Sequence, residues 1–490
     1  MGALYICNIM LGSGVLTLPQ LFSQTGWVLG LAGLSVVALV SYITATFVVE
    51  TIFIYRLLQQ HYQDQGQNKA GTQADGCVMN VNSDKGALYS RTDCNNENIV
   101  ENLHIDHVND KHGEVKKEKY EMNEPRKNMC NIGRDEEVEL GHLFQMFFPN
   151  FLSILFYITL CLQLYGVISI DFVILSKSLT SISCDEYNWV TVNTTTSCKN
   201  MVHLPVHEVY LVMLSIFVAL IGPFVFFDIA STKVIQLLTF IYRFVSLLCM
   251  SILGMMKIGN GSNVTPKLAS LGKLPNFVGA VLYILGFHMA IPSIINPIKY
   301  KHSLKSVIIT PFVIVMVLDV LLVMSACYAY PVEEIQDIYT LNFTHPPPLL
   351  KYFLQLFPVV CLLSSVPITA IVLRENLKKL LLKKNEEEYS FMVRRIAFPL
   401  LVLIPPVTIA YVTDDVILLV GYIGTGTGGL LLYVFPALSV HFARRTAERT
   451  LGSHYSVDNK SSFCHKVWIM FILVWYVIST ATLVFCMATS

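Results

Sequence analysis

The sequence predicts an all-α protein that crosses a membrane many times, and three observations predict it. Of the 490 residues, 54% are hydrophobic and only 14% are charged, whereas a soluble protein carries about 25% charged residues. The mean hydropathy is +0.56. The apolar residues are gathered into segments of about 20, which is the length of a helix that spans a bilayer. The net charge is zero, so nothing in the composition indicates a nucleic-acid partner.

Eleven segments are long and apolar enough to be transmembrane helices. They cover roughly residues 1–24, 27–55, 150–176, 208–227, 234–256, 276–297, 305–328, 349–373, 396–412, 416–440 and 467–488. Lys and Arg concentrate in the short loops on the side that holds the N-terminus, for example between Arg374 and Arg395. Cytoplasmic loops carry such an excess. We therefore expect the N-terminus in the cytoplasm and the C-terminus outside.

The polar stretches divide the chain into four parts. Residues 1–56 hold the first two spans, and residues 149–490 hold spans three to eleven. Residues 57–134 contain too few large hydrophobic side chains to fold, so we expect a disordered cytoplasmic loop, either a spacer or a regulatory platform. Residues 135–148 mix apolar and acidic side chains and predict a short interfacial helix. The first span has no cytoplasmic flank, so we expect residues to be missing before Met1.

The predicted outer loops contain sites for covalent modification. Their N-x-S/T sequons predict glycosylation at four asparagines: Asn193, Asn260, Asn263 and Asn342. Cys184 and Cys198 share one outer loop, where an oxidising compartment allows a disulfide. This topology is the same in a plasma membrane and in an endolysosomal membrane, so both locations remain open.

The first span is interrupted in its middle by Gly12, Ser13 and Gly14, with Pro19 following. Backbone groups freed inside a membrane survive only where they face protein, water or a ligand. Glycines let a ligand approach the main chain, and the N–H groups at the start of the next half-helix attract a carboxylate. We therefore expect these three residues to bind substrate. The alternative is a close contact between helices through small residues.

A second break falls in the sixth span, at Gly286, Phe287 and His288, ahead of Pro292. Paired broken helices in the two halves of a membrane chain are typical of a transporter site. We expect these residues to complete the substrate site. His288 then lines the cavity, or it is a histidine that only packs against its neighbours.

Arg243 lies near the middle of the fifth span, roughly 15 Å past Lys233 at ~1.5 Å per residue. A charged group at that depth is functional by default. Because a guanidinium stays protonated, we expect a fixed cation rather than a proton carrier. Asp319 is its nearest candidate partner by depth. Charged residues closer to the span ends are predicted to be structural: Glu50, Arg56, Asp171 and Lys177.

Nothing in the sequence predicts an enzyme. A phosphate-binding loop, a nucleophile elbow, an HExxH site and paired catalytic carboxylates are all absent. The cysteines show no CxxC spacing, so we expect neither a metal site nor a cofactor.

Several segments resemble the amino acid/auxin permease family of the APC superfamily, whose members are sodium- and proton-coupled transporters. The most specific segment runs from Asn8 to Pro19 and is followed by Gly26 and Trp27. The other segments that carry the resemblance are Gly286 to Pro292, Ser365 to Ile368, Gly421 to Gly424 and Phe435 to Ala437.

The resemblance implies a LeuT-like fold, in which spans 1–5 and 6–10 are inverted repeats and the eleventh is added. It places the substrate, an amino acid, between broken helices one and six. In sodium-coupled relatives, an Asn of the first helix and a hydroxyl of the eighth hold the ion; here these are Asn8 and Ser365, with Ser364 adjacent. Some members of the superfamily place a basic side chain of the fifth helix where sodium would sit, which Arg243 matches.

Three functions follow from the sequence. The first is an amino acid transporter coupled to Na⁺ or H⁺. The second is a transporter in which the fixed charge of Arg243 replaces sodium, so that protons or exchange drive it. The third is a transporter-fold sensor or scaffold that binds amino acid and signals through residues 57–134 without transport. Besides the amino acid, the only partner that the sequence predicts is the lipid bilayer, and the identity of the substrate stays open.

Overall fold

The computed structural model describes residues 2–75, 139–184, 189, 198, 204–226, 233–262, 264–295, 304–344, 346–382, 389–452, 455 and 460–489. Within these ranges the chain forms helices, turns and connecting segments, and no strand. The α-helices, in chain order, are α1 Gly2–Met10, α2 Leu18–Thr25, α3 Trp27–Asp75, α4 Leu140–Phe147, α5 Asn150–Ser183, α6 Val206–Phe226, α7 Lys233–Gly259, α8 Leu274–Ile284, α9 Ile291–Ile295, α10 Leu304–Ala329, α11 Pro348–Gln355, α12 Phe357–Leu381, α13 Phe398–Val412, α14 Val416–Ile423, α15 Phe435–Leu451 and α16 Lys466–Thr489. The predicted fold class, an all-α polytopic membrane protein, is confirmed.

Ten helical segments in the described ranges are long and apolar enough to cross a membrane. Their outer faces carry large exposed hydrophobic side chains, such as Leu39 at 55% and Leu238 at 61% exposure. A soluble protein does not expose extended apolar surface of this kind. The first predicted span is not among the ten; the structure divides it into α1, a 3₁₀ turn and α2.

The helix breaks occur at both positions that the sequence predicts. After α1 ends, Gly12 adopts an extended backbone with φ −74° and ψ −170°, and a 3₁₀ turn covers Ser13–Thr17. The hydroxyl of Thr17 donates to the Gly14 carbonyl at 2.9 Å, which satisfies one of the freed backbone groups. In the second segment, Gly286 leaves the helical conformation and a 3₁₀ turn over Phe287–Ala290 leads into α9.

The helix α3 continues past residue 57, where the polar loop is predicted to begin, and ends at Asp75. The residues after Leu57 are rich in Gln, a good helix former, and contain no proline up to that point, so the helix is not interrupted. The chain divides into one unit of Met1–Leu57 with Asp135–Ser490 and another of Leu58–Arg134. Residues 76–138 lie outside the described ranges, so disorder there remains a prediction.

A helix does form within the predicted interfacial segment. It is α4, in which Leu143 and Phe144 are fully buried. The ring of Phe144 packs edge-on against Phe156 of α5, with centroids 5.0 Å apart. Whether α4 lies at a membrane surface remains a prediction.

The glycines of the tenth predicted span bring α14 close to α8. A Cβ atom added at Gly279 of α8 would lie 2.6 Å from the Thr425 hydroxyl oxygen, and one added at Gly421 would lie 3.2 Å from Asn276 Oδ1. The chain then continues through two π-helical segments, Gly424–Gly428 and Leu430–Val434, into α15. The absence of side chains at these glycines allows the close approach of the two helices.

Candidate functional site

The two broken segments meet at Gly14 and Tyr283. A Cβ atom added at Gly14 would lie 2.5 Å from Cδ1 of the Tyr283 ring, so only glycine fits there. Gly14 is buried, whereas Gly12, Ser13 and Gly286 retain accessible surface. The main chain is therefore open on one side of the break and tightly packed on the other. We call Gly12, Ser13, Gly14 and Tyr283 the opening.

Arg243 of α7 reaches the carbonyl end of α1. Its Nη1 donates to the Asn8 carbonyl at 2.5 Å and to the Leu11 carbonyl at 3.2 Å, and its Nη2 donates to the Cys361 carbonyl of α12 at 3.5 Å. The last carbonyls of a helix have no intrahelical partner and carry the negative end of its dipole. The guanidinium, 5% exposed, supplies both the hydrogen bonds and the opposite charge.

The side chain of Asp319 is not the partner of Arg243. Both carboxyl oxygens of Asp319 are buried without a hydrogen-bond partner in the described ranges. Depth along a helix suggested the pairing, but depth does not say which way a side chain points. Arg243 donates to main-chain carbonyls near the end of α1 and within α12 instead of to the expected carboxylate.

The residues predicted to hold a cation lie around Arg243, but the contact is different from the one expected. Asn8 contributes its main-chain carbonyl, while its side-chain Oδ1 is buried with no hydrogen-bond partner among the described residues. The Ser364 hydroxyl donates to the Cys361 carbonyl at 2.8 Å, which is the same carbonyl that Arg243 contacts. Ser365 follows on α12, where its carbonyl accepts from Thr369. The structure thus groups Asn8, Ser364 and Arg243, and their roles in coupling stay predictions.

Asp171 lies at the opening, although the sequence placed it near the outer end of its span as a structural residue. That placement is wrong, because α5 continues to Ser183 and leaves Asp171 roughly 18 Å from the helix end at ~1.5 Å per residue. The Ser13 hydroxyl donates to Asp171 Oδ1 at 2.7 Å. The carboxyl group is 3% exposed. Its position within an apolar span was the signal that could have identified it.

His288 and Phe287 turn away from the opening. The Nε2 atom of His288 lies 2.9 Å from the Thr44 hydroxyl and 3.0 Å from the Ser41 carbonyl, both on α3. The two side chains of the break are fully buried. This is the packing arrangement that the sequence left as the alternative for His288, and of the three residues predicted at the second break only Gly286 retains accessible surface. Their part in substrate binding stays a prediction.

A buried ion pair joins α3 to α15. Arg444 donates from Nε and Nη2 to the two oxygens of Glu50, at 2.9 and 2.7 Å. The Ser461 amide also donates to Glu50, and Arg444 Nη1 donates to the Cys464 carbonyl. A bidentate ion pair of this geometry fixes the orientation of both side chains. It fastens the segment before α16 to the ends of two helices, so the structural role predicted for Glu50 fits its contacts.

A second ion pair joins the end of α5 to the segment between α10 and α11. Lys177 Nζ lies 2.5 Å from Asp337 Oδ2. The same ammonium lies 4.7 Å from the ring centroid of Trp189, and the Trp189 amide donates to the Gln336 side chain. Lys177 therefore holds two connecting segments against α5.

The predicted modification sites differ in their surroundings. Cys184 and Cys198 are paired, with Cα atoms 5.0 Å apart, a separation that suits a disulfide. Asn260 is exposed in a turn after α7. Asn342 is half-buried, because its Nδ2 donates to the Glu334 carbonyl and its Oδ1 accepts from the Gln336 amide. Asn193 and Asn263 lie outside the described residues.

No group of three or more His, Cys, Asp or Glu side chains in the described part of the chain is arranged to hold a metal ion. The opening offers main-chain groups, the hydroxyl of Ser13 and the phenol of Tyr283, and the carboxyl group of Asp171 lies beside it. Groups of this kind are able to hydrogen-bond a small polar molecule.

The family is established by sequence comparison. The profile of the family described as transmembrane amino acid transporter protein matches residues 1–82 and 135–484. This chain belongs to that family of membrane proteins, as its resemblance to the amino acid/auxin permeases predicted.

Curated relatives cover nearly the whole chain. It is 29% identical to the transmembrane protein 104 homolog of Drosophila melanogaster over 97% of this chain and 94% of that protein. It is also 29% identical to transmembrane protein 104 of Homo sapiens, over 97% and 93%. The corresponding homolog of Dictyostelium discoideum is 27% identical over 96% and 93%. The sequence resembles this group in the 57–134 insertion, in Gly222 to Asp228 and in Asp337 to Phe343.

Proposed function

We propose that this protein is a secondary-active transporter of amino acids. The substrate site lies at the opening, between the broken segments α1–α2 and α8–α9. The family match supports the substrate class, and two helix breaks packed against each other support the location. In this proposal the first broken segment also crosses the membrane, which brings the number of spans to eleven. Spans one to ten form a LeuT-like pair of inverted repeats, and the N-terminus is cytoplasmic.

The observation that carries the proposed mechanism is the position of Arg243. Carbonyl oxygens at a helix break, joined by a hydroxyl from a neighbouring helix, are the ligands that hold a coupling cation in broken-helix transporters. In this chain the guanidinium donates to those carbonyls at Asn8, Leu11 and Cys361. Because Arg243 is covalently attached and stays protonated, it acts as a permanent cation. We therefore favour transport that is driven by protons or exchange, without sodium.

The breaks and the fixed cation have separate tasks in this mechanism. Arg243 holds the carbonyl end of α1 to α12 through Cys361. The N–H group of Val15 donates to the Gly12 carbonyl at 3.3 Å, and in this mechanism the N–H groups that precede it meet the substrate carboxylate. The ion pairs Glu50–Arg444 and Lys177–Asp337 connect segments that are distant in sequence. In this mechanism, a change in access to the opening either breaks each pair or moves both of its partners together.

Two further assignments belong to this proposal. Cys184 and Cys198 form a disulfide, and the exposed Asn260 carries a glycan, both on the outer side. The protein resides in the plasma membrane or in an endolysosomal membrane, where the outer or luminal side is oxidising.

Uptake of amino acids by the purified protein tests the proposal. Proteoliposomes are loaded with one unlabelled amino acid, and entry of each of the 20 labelled L-amino acids is measured with and without an inward proton gradient. Protein-free liposomes are the control. Uptake of at least one amino acid above that control is the expected result. Binding of an amino acid without any uptake, together with loss of protein partners after deletion of residues 76–134, favours the sensor instead.

A further inference from the structure

Asp171 presents a buried carboxyl group that is only half satisfied. It is 3% exposed and accepts one hydrogen bond, at Oδ1 from Ser13. No hydrogen bond to its Oδ2 is found in the described part of the chain, and this oxygen is not among the fully buried, unpartnered atoms there, so it keeps some accessible surface. A buried carboxylate is costly unless hydrogen bonds and an opposite charge compensate it. A positively charged group next to Oδ2 would complete the site.

The cations of the neighbouring helices already have partners. The guanidinium of Arg243 gives Nη1 and Nη2 to main-chain carbonyls. Lys177, on the same helix as Asp171, is paired with Asp337. No salt bridge to Asp171 is found among the described residues. The Nε of Arg243 also has no partner among the described residues, but it makes no salt bridge to Asp171. A molecule that enters the opening can supply the cation that Asp171 lacks.

The position of Asp171 identifies the chemistry of that molecule. Ser13, which donates to the carboxylate, belongs to the 3₁₀ turn that follows the extended Gly12. The ring of Tyr283 lies against Gly14 of the same turn. The carboxyl group of Asp171 thus lies beside the main chain of the first break, where N–H groups at the start of a half-helix favour a negative ligand. A ligand that carries an ammonium and a carboxylate on the same carbon satisfies both.

We propose that Asp171 binds the α-ammonium group of the substrate. Ser13 positions the carboxylate of Asp171 through its hydrogen bond to Oδ1. This rests on the proposed function, because it assumes an amino acid at the opening. The substrate class is then restricted to compounds with a free cationic amine beside the carboxylate. Carboxylic acids that lack the amine are rejected, because they bring a second negative charge to Asp171.

Binding to the full-length purified protein tests this assignment. Each L-amino acid is first screened by thermal shift, and the strongest responder is compared with its des-amino acid, which keeps the carboxylate and side chain. Affinities are measured for the wild-type protein, for Asp171→Asn and for Asp319→Asn. The last variant is a matched control, since it neutralises another buried carboxyl group that does not contact the opening.

We expect Asp171→Asn to weaken binding of the amino acid on the order of 30-fold, the loss typical of removing one partner of a buried charge pair. Binding of the des-amino acid should stay the same or become tighter, and Asp319→Asn should keep the wild-type preference. Equal affinity of Asp171→Asn and wild type for the amino acid would overturn the inference. A wild-type protein that binds none of the amino acids would overturn the proposed function as well, so the two failures are distinct.

Ser13→Ala keeps the inference testable if Asp171→Asn does not fold. It removes the hydroxyl that holds Oδ1 but leaves the carboxylate in place. One neutral-to-charged hydrogen bond is worth about 1.5–3 kcal/mol, so a loss of roughly tenfold or more in amino acid affinity is expected, without a matching loss for the des-amino acid. Equal losses for both compounds would show that Ser13 does not act through the ammonium.

Discussion

Arg243 Nη1 donates to the main-chain carbonyl of Asn8 across 2.5 Å. The carbonyl belongs to the last turn of α1, which ends at Met10 ahead of the glycine break. A side chain of the fifth predicted span therefore caps the end of α1, which is the first half of the broken first span. In the proposed mechanism this contact favours transport without sodium, because a guanidinium and a sodium ion cannot occupy the same carbonyls.

Replacing Arg243 should open a cation site. Arg243→Ala removes the guanidinium donor from the carbonyls of Asn8 and Leu11, at about 1–3 kcal/mol for each unsatisfied group, whereas the Cys361 carbonyl keeps its hydrogen bond from Ser364. We expect a lower melting temperature, and we expect sodium chloride, but not choline chloride, to raise it again. Thermal unfolding in the two salts measures this. Arg243→Lys, which keeps the charge, is the control and should show no sodium effect.

The side chain of Asn8 should matter little. Only its carbonyl contacts Arg243, and its Oδ1 is buried without a hydrogen-bond partner among the described residues. Because any residue supplies the same carbonyl, we expect Asn8→Ala to retain wild-type uptake and stability. Initial uptake rates in proteoliposomes check this. A large loss in Asn8→Ala would return the side chain to the cation-ligand role that the sequence predicted.

Gly14→Val should abolish substrate binding without preventing membrane insertion. A Cβ atom at this position meets the Tyr283 ring at 2.5 Å, so the two broken segments must move apart. Overpacking of this kind costs typically about 1–3 kcal/mol. The matched control is Gly222→Val in α6, where an added Cβ meets no atom within 4 Å. Binding is measured on protein purified from membranes, and equal binding by both variants would contradict the placement of the site.

The paired cysteines should be protected from thiol reagents. Cys184 and Cys198 are 14 residues apart in sequence and buried beside Val206 and Val209. Closing a loop of about 15 residues stabilises a protein by about 3 kcal/mol in the chain-entropy estimate. We expect a maleimide to label both only after reduction and denaturation, and Cys184→Ser with Cys198→Ser to lower the melting temperature. Labelling of either cysteine in the unreduced, denatured protein would rule out the bond.

Glycosylation should distinguish Asn260 from Asn342. Asn260 is exposed, whereas the Asn342 amide that would carry the sugar donates to the Glu334 carbonyl at 2.7 Å. We expect a glycan on Asn260 and none on Asn342. Variants in which all other sequons carry Gln for Asn are compared by gel mobility before and after enzymatic deglycosylation. A shift in the variant that keeps only Asn342 would contradict this.

Sequence patterns predicted the features that depend on local composition. Glycine and proline identified both helix breaks, because backbone conformation is a local property, whereas the depth of Arg243 in the membrane stays a prediction. Asp171 was missed because a polar outer end concealed how far α5 continues. The direction of His288 was also undetermined, since a 3₁₀ turn rotates the side chains that follow Gly286. Which partner a buried charge finds depends on packing between distant segments, as the carbonyls around Arg243 show.

The sodium dependence of uptake tests the central claim most directly. Initial rates for the best amino acid are measured in proteoliposomes with equal pH on both sides, in sodium chloride and then in choline chloride. Because Arg243 already occupies the carbonyls of Asn8, Leu11 and Cys361, the two rates should be equal. Uptake that requires sodium would contradict the account and show that an ion, rather than Arg243, completes the broken helix.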